Sequence, residues 1–146
     1  MRRLRTKNLH AIYWIVTLLF VIPQGWAALQ YLTEAPRMTS TITQLGYPAY
    51  FMAILGVAKL LGIAAIVTGI SPTLKEWAYA GFTFDVLGAF ASHLGAGDPL
   101  YIALVPLGFL ALQTASYFAW KRLRSVARSA RRSEAWRTRE MAVSAV

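Results

Sequence analysis

Four stretches of the chain, at 11–32, 49–69, 76–94 and 100–120, are almost unbroken runs of apolar residues. Each is close to the ~20 residues that a helix needs to cross about 30 Å of hydrocarbon. None alternates apolar and polar residues with the period of two that a membrane strand requires, and in lipid the backbone amides must be satisfied internally. The runs therefore predict four membrane helices. Turn-forming sequences separate them: Thr33-Glu34-Ala35-Pro36 and Leu45-Gly46-Tyr47-Pro48, then Ser71-Pro72-Thr73, then Gly95-Ala96-Gly97-Asp98-Pro99. The expectation is an all-α, integral membrane four-helix bundle over 1–120, followed by a basic tail at 121–146.

Composition sharpens this picture. The 146 residues are 57% hydrophobic and 14% charged, against about 25% charged in soluble domains. A chain this short cannot hide so much apolar surface inside itself. Charge is lopsided, with 15 Lys or Arg against six Asp or Glu. Arg2, Arg3, Arg5 and Lys7 precede the first run, and Lys121, Arg122, Arg124, Arg128, Arg131, Arg132, Arg137 and Arg139 follow the last. Under the positive-inside rule both termini belong on the cytoplasmic side, which requires an even number of crossings. Lys75, in the short second connector, is expected on that side too, whereas the first connector carries only Arg37 and the third no basic residue. The basic pI thus reports topology and not nucleic-acid binding.

The chain's start shares a basic head, an apolar stretch and Ala27-Ala28 with secretory signals, but it is read as the first membrane helix. Arg2-Arg3 lacks the rest of a twin-arginine signal. Residues 121–140 look helical and polar, with Trp136 as an interfacial anchor. The plain reading of that tail is a solvated topology signal. The sharper one is a patch for anionic lipid, at about 1 kcal/mol per basic residue.

Two ions lie where lipid should not tolerate them. Lys59 falls ten residues into the second run and Asp85 nine residues into the third, so on antiparallel helices both reach about the same midplane depth. Each alone costs about 2.5–3.5 kcal/mol on insertion scales. Opposite signs at matched depth predict one ion pair. Gly81, Asp85, Gly88 and Ser92 share one helix side, and Gly56, Lys59 and Gly62 lie on or near one side of the other. Such small residues predict close helix approach around the pair. The pair is either a staple fixing helix register or the wall of a polar cavity that holds a head group or moves a proton.

The remaining polar residues add less. His93, two turns from Asp85 on a similar side, is read first as a hydrogen-bonded helix-end residue and second as a ligand contact. With His10 at the opposite face, no metal-ligand spacing exists, so neither a metal site nor haem is expected. Gln24 and Gln113 are expected to bond between helices, at about 0.6 kcal/mol each. Pro23 and Pro106 are expected to bend the first and fourth helices and open a cavity outward. Trp14, Trp26, Tyr31, Tyr47, Tyr50, Trp77, Tyr79, Tyr101, Tyr117 and Trp120 read as an aromatic belt. The absence of cysteine excludes disulfides and thiol redox chemistry by this chain.

Several strings carry a resemblance: Leu45-Gly46-Tyr47-Pro48-Ala49-Tyr50-Phe51, Leu55-Gly56-Val57-Ala58-Lys59-Leu60-Leu61-Gly62, Lys75-Glu76-Trp77-Ala78-Tyr79-Ala80-Gly81-Phe82, and Ser92-His93-Leu94 with Gly97-Asp98-Pro99. Together they resemble the DoxX-like family of small four-helix bacterial membrane proteins. The resemblance implies a four-helix bundle in the bacterial inner membrane and places Lys59, Glu76, Asp85 and His93 at positions of the family pattern. Related proteins include a membrane subunit of a thiosulfate:quinone oxidoreductase, and more distant ones look like assembly chaperones or cargo receptors.

The leading expectation is an accessory or binding protein without catalysis of its own. Its Lys59–Asp85 centre would serve a small amphiphile, such as a quinone or lipid, or a partner helix. No bound cofactor is expected beyond such a quinone. Expected partners are the bilayer, anionic lipid at the tail, and a second copy or another membrane protein. A proton-coupled carrier or channel and a membrane subunit of a quinone-linked oxidoreductase are the competing classes. The chain shows no internal repeat of the transporter kind.

Overall fold

The computed structural model describes residues 2–144. Met1, Ala145 and Val146, and the side chains of Arg2, Arg3, Arg5 and Arg139, on which part of the positive-inside argument and the basic tail rest, lie outside the described residues. Within them the chain forms six helices: α1 (Arg2–Leu32), α2 (Pro36–Gln44), α3 (Tyr50–Thr68), α4 (Pro72–Gly95), α5 (Leu100–Ala103) and α6 (Val105–Ser144). The four long ones close a ring in which α1 packs on α3 and α6, and α4 packs on the same two from the opposite side. The protein is thus an all-α, multi-helix integral membrane bundle.

Its surface is inverted relative to a water-soluble bundle. Ile15, Leu19, Ile22, Trp26, Leu61 and Phe84 are exposed, while Thr17, Gln24, Lys59, Lys75, Gln113 and Ser116 are buried. So large an apolar exterior needs lipid around it, and polar groups then turn inward to find partners.

Among the described residues, three helical stretches are long and apolar enough to cross a membrane: Lys7–Leu32, Tyr50–Thr68 and Leu100–Thr138. The expected third crossing, at 76–94, corresponds to α4. At 24 residues it is about 36 Å long, but Lys75, Glu76 and Asp85 make it less apolar than the others.

Local chemistry explains where the helices depart from the four runs. Gly69 ends α3 in the left-handed conformation at φ 59°. Two residues later Ser71 caps α4, its Oγ accepting from the Leu74 amide with Pro72 in the first turn. The helix therefore begins before Lys75, which sequence reading had left in the connector. Pro36 opens α2 within what looked like a plain first connector, and α2 buries Ile42. The fourth run is interrupted at one residue: α5 ends at Ala103, Leu104 forms a turn and α6 begins at Val105, because Pro106 lacks an amide proton and crowds the turn before it. Pro23, by contrast, sits inside an unbroken α1. At its far end α6 continues through the basic segment, so the described part of the tail is a helical extension of the bundle.

Candidate functional site

Side-chain chemistry divides the bundle interior into three layers, set by the three- and four-residue spacing of each helix. The first contains Gln24 from α1, Lys59 from α3 and Asp85 from α4. Lys59 Nζ donates to Asp85 Oδ2 at 2.5 Å and to Gln24 Oε1 at 2.7 Å. The lysine side chain is 8% exposed and the aspartate 19%. An ammonium has three N–H donors, so one remains for another acceptor. Aromatic rings finish the lysine's surroundings, with Tyr31 at 5.9 Å and Phe82 at 5.7 Å from Nζ.

One turn toward the other end, Phe20 of α1 meets Phe82 of α4 edge to face at 5.0 Å, both essentially buried. Gly62 makes room for this layer, since a Cβ there would lie 2.8 Å from the Phe82 ring.

Beyond the phenylalanines lies a second polar layer. Lys75 Nζ donates to Tyr13 Oη at 2.7 Å and to the Ile66 carbonyl at 2.6 Å. Ile66 lies in the last turn of α3, so the ammonium satisfies a carbonyl that the helix leaves free and sits at the negative end of its dipole. The rings of Tyr13 and Trp120 stand 5.0 and 5.3 Å from it. Alongside, Ser116 shares hydrogen bonds with Thr17 (2.6 Å) and Tyr79 (2.7 Å). The hydropathy pattern does not reveal this layer, since it puts Lys75 in a connector and Tyr79 in the aromatic belt. The signal was present as Lys75, Tyr79 and Thr83 at four-residue spacing, a polar stripe on one helix face.

The other expected site residues separate into distinct places. Gln113 donates to Thr83 Oγ1 at 2.5 Å, between α6 and α4, while its own Oε1 is buried without a partner. His93 Nδ1 is 2.6 Å from Asp98 Oδ2 in the following connector. Ser92 bonds Tyr47 Oη at 2.7 Å and donates to the Gly88 carbonyl at 2.8 Å. Glu76 pairs with Lys121 at the opposite end of the bundle. The expected close packing along the glycine side of α4 is not found: a Cβ on Gly81 or Gly88 would meet nothing within 4 Å. Close approach occurs instead at Gly56, whose Cβ would lie 2.8 Å from Leu32 of α1.

Two spaces adjoin the ion pair. A cavity of about 500 Å³ is walled by Gln24, Tyr31, Lys59, Asp85 and His93, with Arg37, Met38 and Thr41 of α2 over it and Pro106 and Phe109 on the far side. On the other flank, a groove of about 310 Å³ runs between α3 and α4, lined by apolar side chains and reaching Lys59 and Asp85. The cavity brings Lys59, Asp85, Gln24 and His93 to one wall. It does not include Glu76, Gln113 or Ser92. Among the described residues, no group of three or more Asp, Glu, His or Cys is placed to hold a metal ion.

The sequence profile of the DoxX-like family matches residues 15–116, and the chain belongs to that family. This range contains the whole Lys59–Asp85–Gln24 centre and the cavity wall. No curated protein and no solved structure matches the chain.

Proposed function

We propose that this DoxX-like membrane protein is a non-catalytic accessory protein that receives the polar head of a small amphiphile, a quinone or a lipid, at its Lys59–Asp85 centre. The observation that carries the reading is the position of the pair: nearly buried, yet forming the wall of a cavity large enough for a head group. A pure staple needs no such space. Gln24 fixes the lysine, and the remaining ammonium N–H points the site toward an oxygen acceptor. His93 and Tyr31 offer further polar contacts on the same wall.

In this reading α4 is the fourth crossing of a bacterial inner membrane, both termini are cytoplasmic, and α2 and the α4–α5 connector lie on the outer face. The length of α4 and the inward placement of its ions support that arrangement.

A proton-coupled carrier is the second reading, favoured by the hydrogen-bonded groups from Lys75 to Ser116 on the far side of the phenylalanines. Phe20 and Phe82 stand against it, because they interpose a buried apolar layer between the two polar sets. A quinone-linked oxidoreductase subunit remains the third, with electrons supplied by a partner.

The test is to extract the wild type, Gln24→Leu and Asp85→Asn into native nanodiscs and quantify the retained amphiphiles by mass spectrometry. The wild type should hold a near-stoichiometric species enriched over the surrounding membrane, and both variants should lose it. Identical lipid profiles in all three would end the binding reading. Proton flux in liposomes that disappears in Asp85→Asn would replace it with the carrier.

A further inference from the structure

The groove between α3 and α4 has a feature the head-group cavity alone does not explain. It runs from Ala65 and Leu74 past Lys59 and Asp85 to Leu55, about 15 Å along α3. Its walls are apolar, and Leu61, Leu74 and Trp77 stand exposed along it. Gly81 borders it with no atom within 4 Å of where a Cβ would be, so this glycine is not spent on helix contact. The groove and the cavity share two residues, Lys59 and Asp85. The ion pair is therefore the junction between an apolar slot facing lipid and a chamber whose lining mixes polar and apolar side chains.

Charge decides what such a junction admits. Lys59 and Asp85 neutralise each other, and Asp85 Oδ2 takes the lysine's bond while no donor among the described residues reaches its Oδ1. The pair thus offers one N–H and one carboxylate oxygen. A hydroxyl uses both, accepting from Lys59 and donating to Asp85. A carboxylate or phosphate head would meet Asp85 as a like charge and would also have to leave water to reach the midplane, while the cation Arg37 lines the chamber and not the groove. A neutral hydroxyl head has neither obstacle.

Resting on the head-binding reading above, we infer that the amphiphile is a single-chain lipid with a neutral hydroxyl head, which slides in sideways from the bilayer between α3 and α4 and leaves its chain in the groove beside Gly81. The hydroxyl then bridges Lys59 Nζ and Asp85 Oδ1 at the mouth of the chamber. Gly81 keeps the slot open.

The full chain in proteoliposomes tests this with two probes of equal length carrying a mid-chain diazirine, hexadecanol and hexadecanoic acid, with photolabelled residues mapped by mass spectrometry. Hexadecanol should label Leu61, Ala65 and Trp77 at least fivefold more than the acid does. Gly81→Leu should cut that labelling at least fivefold. Gly88→Leu, on the same helix but outside the groove, should leave it unchanged, as should labelling of lipid-facing Leu18 and Phe118 in every variant. Equal labelling by the two probes, or an unaltered pattern in Gly81→Leu, overturns the inference. Labelling of Met38 and Ile102 in the cavity without any in the groove overturns the sideways route and leaves head binding standing. Labelling in neither place sinks both. Groove labelling that falls as protein density rises in the vesicle assigns the groove to a second copy and likewise overturns the proposal.

Discussion

A lysine held against an aspartate and a glutamine inside a membrane bundle makes the effect of neutralising either ion depend on the other. Asp85→Leu leaves the buried Lys59 ammonium with Gln24 as its remaining hydrogen-bond partner, and Lys59→Met leaves a part-buried carboxylate whose Oδ2 has lost its donor. Removing one partner of a buried pair costs about 3–5 kcal/mol, whereas replacing both with apolar groups is often neutral. The partial exposure of Asp85 places these singles at the lower end. Thermal unfolding in detergent should therefore show each single variant destabilised by about 3 kcal/mol, with the double variant recovering more than half of the combined loss. Additive losses would mean that the two residues do not interact.

Among the helices, the glycines separate into two kinds that the sequence pattern alone had merged. Gly56→Ala drives a methyl to within 2.8 Å of Leu32 and 3.2 Å of the Ala28 carbonyl, so it should destabilise the α1–α3 contact by about 1–3 kcal/mol. Gly88→Ala meets open space and should stabilise α4 by up to about 1 kcal/mol through helix propensity. Melting temperatures moving in the same direction would contradict this assignment. The contrast also shows what a one-dimensional reading reaches. Matched depth was enough to pair Lys59 with Asp85, because position along a helix converts directly into distance. Which partner a glycine faces depends on the ring order of the helices, which spacing does not encode. Lys75 was misread for a related reason: a charge beside Ser-Pro looks like a loop until Ser71 is seen to cap a helix that starts before it. The helix α2 escaped because its nine residues, five of them Thr, Ser or Gln, give too little apolar signal to distinguish it from a connector.

For the whole bundle, the arrangement of termini and loops makes a prediction that the missing cysteines render easy to test, since any single introduced thiol is unique. In intact cells an impermeant maleimide should label Thr43→Cys and Ala96→Cys. Thr73→Cys and Ser129→Cys should react only after permeabilisation. Protection of Ala96→Cys from outside, together with Thr73→Cys, would show that α4 does not cross, and the proposed four-crossing topology would fall. The same layout explains why the two ends of the interior differ: Lys75 is tied to a helix terminus and two rings, whereas Lys59 is tied to a carboxylate beside open volume. The first arrangement is closed, and the second leaves room for a guest.

Stability and binding come apart in one variant, Lys59→Met/Asp85→Leu, which keeps an apolar, packed core while deleting the polar centre. Its dissociation constant for hexadecanol, measured in nanodiscs beside the wild type, is the decisive quantity. An account in which the pair grips a head group predicts a folded double variant with affinity at least tenfold weaker. A folded double variant that binds as tightly as the wild type would make the pair a structural staple and nothing more.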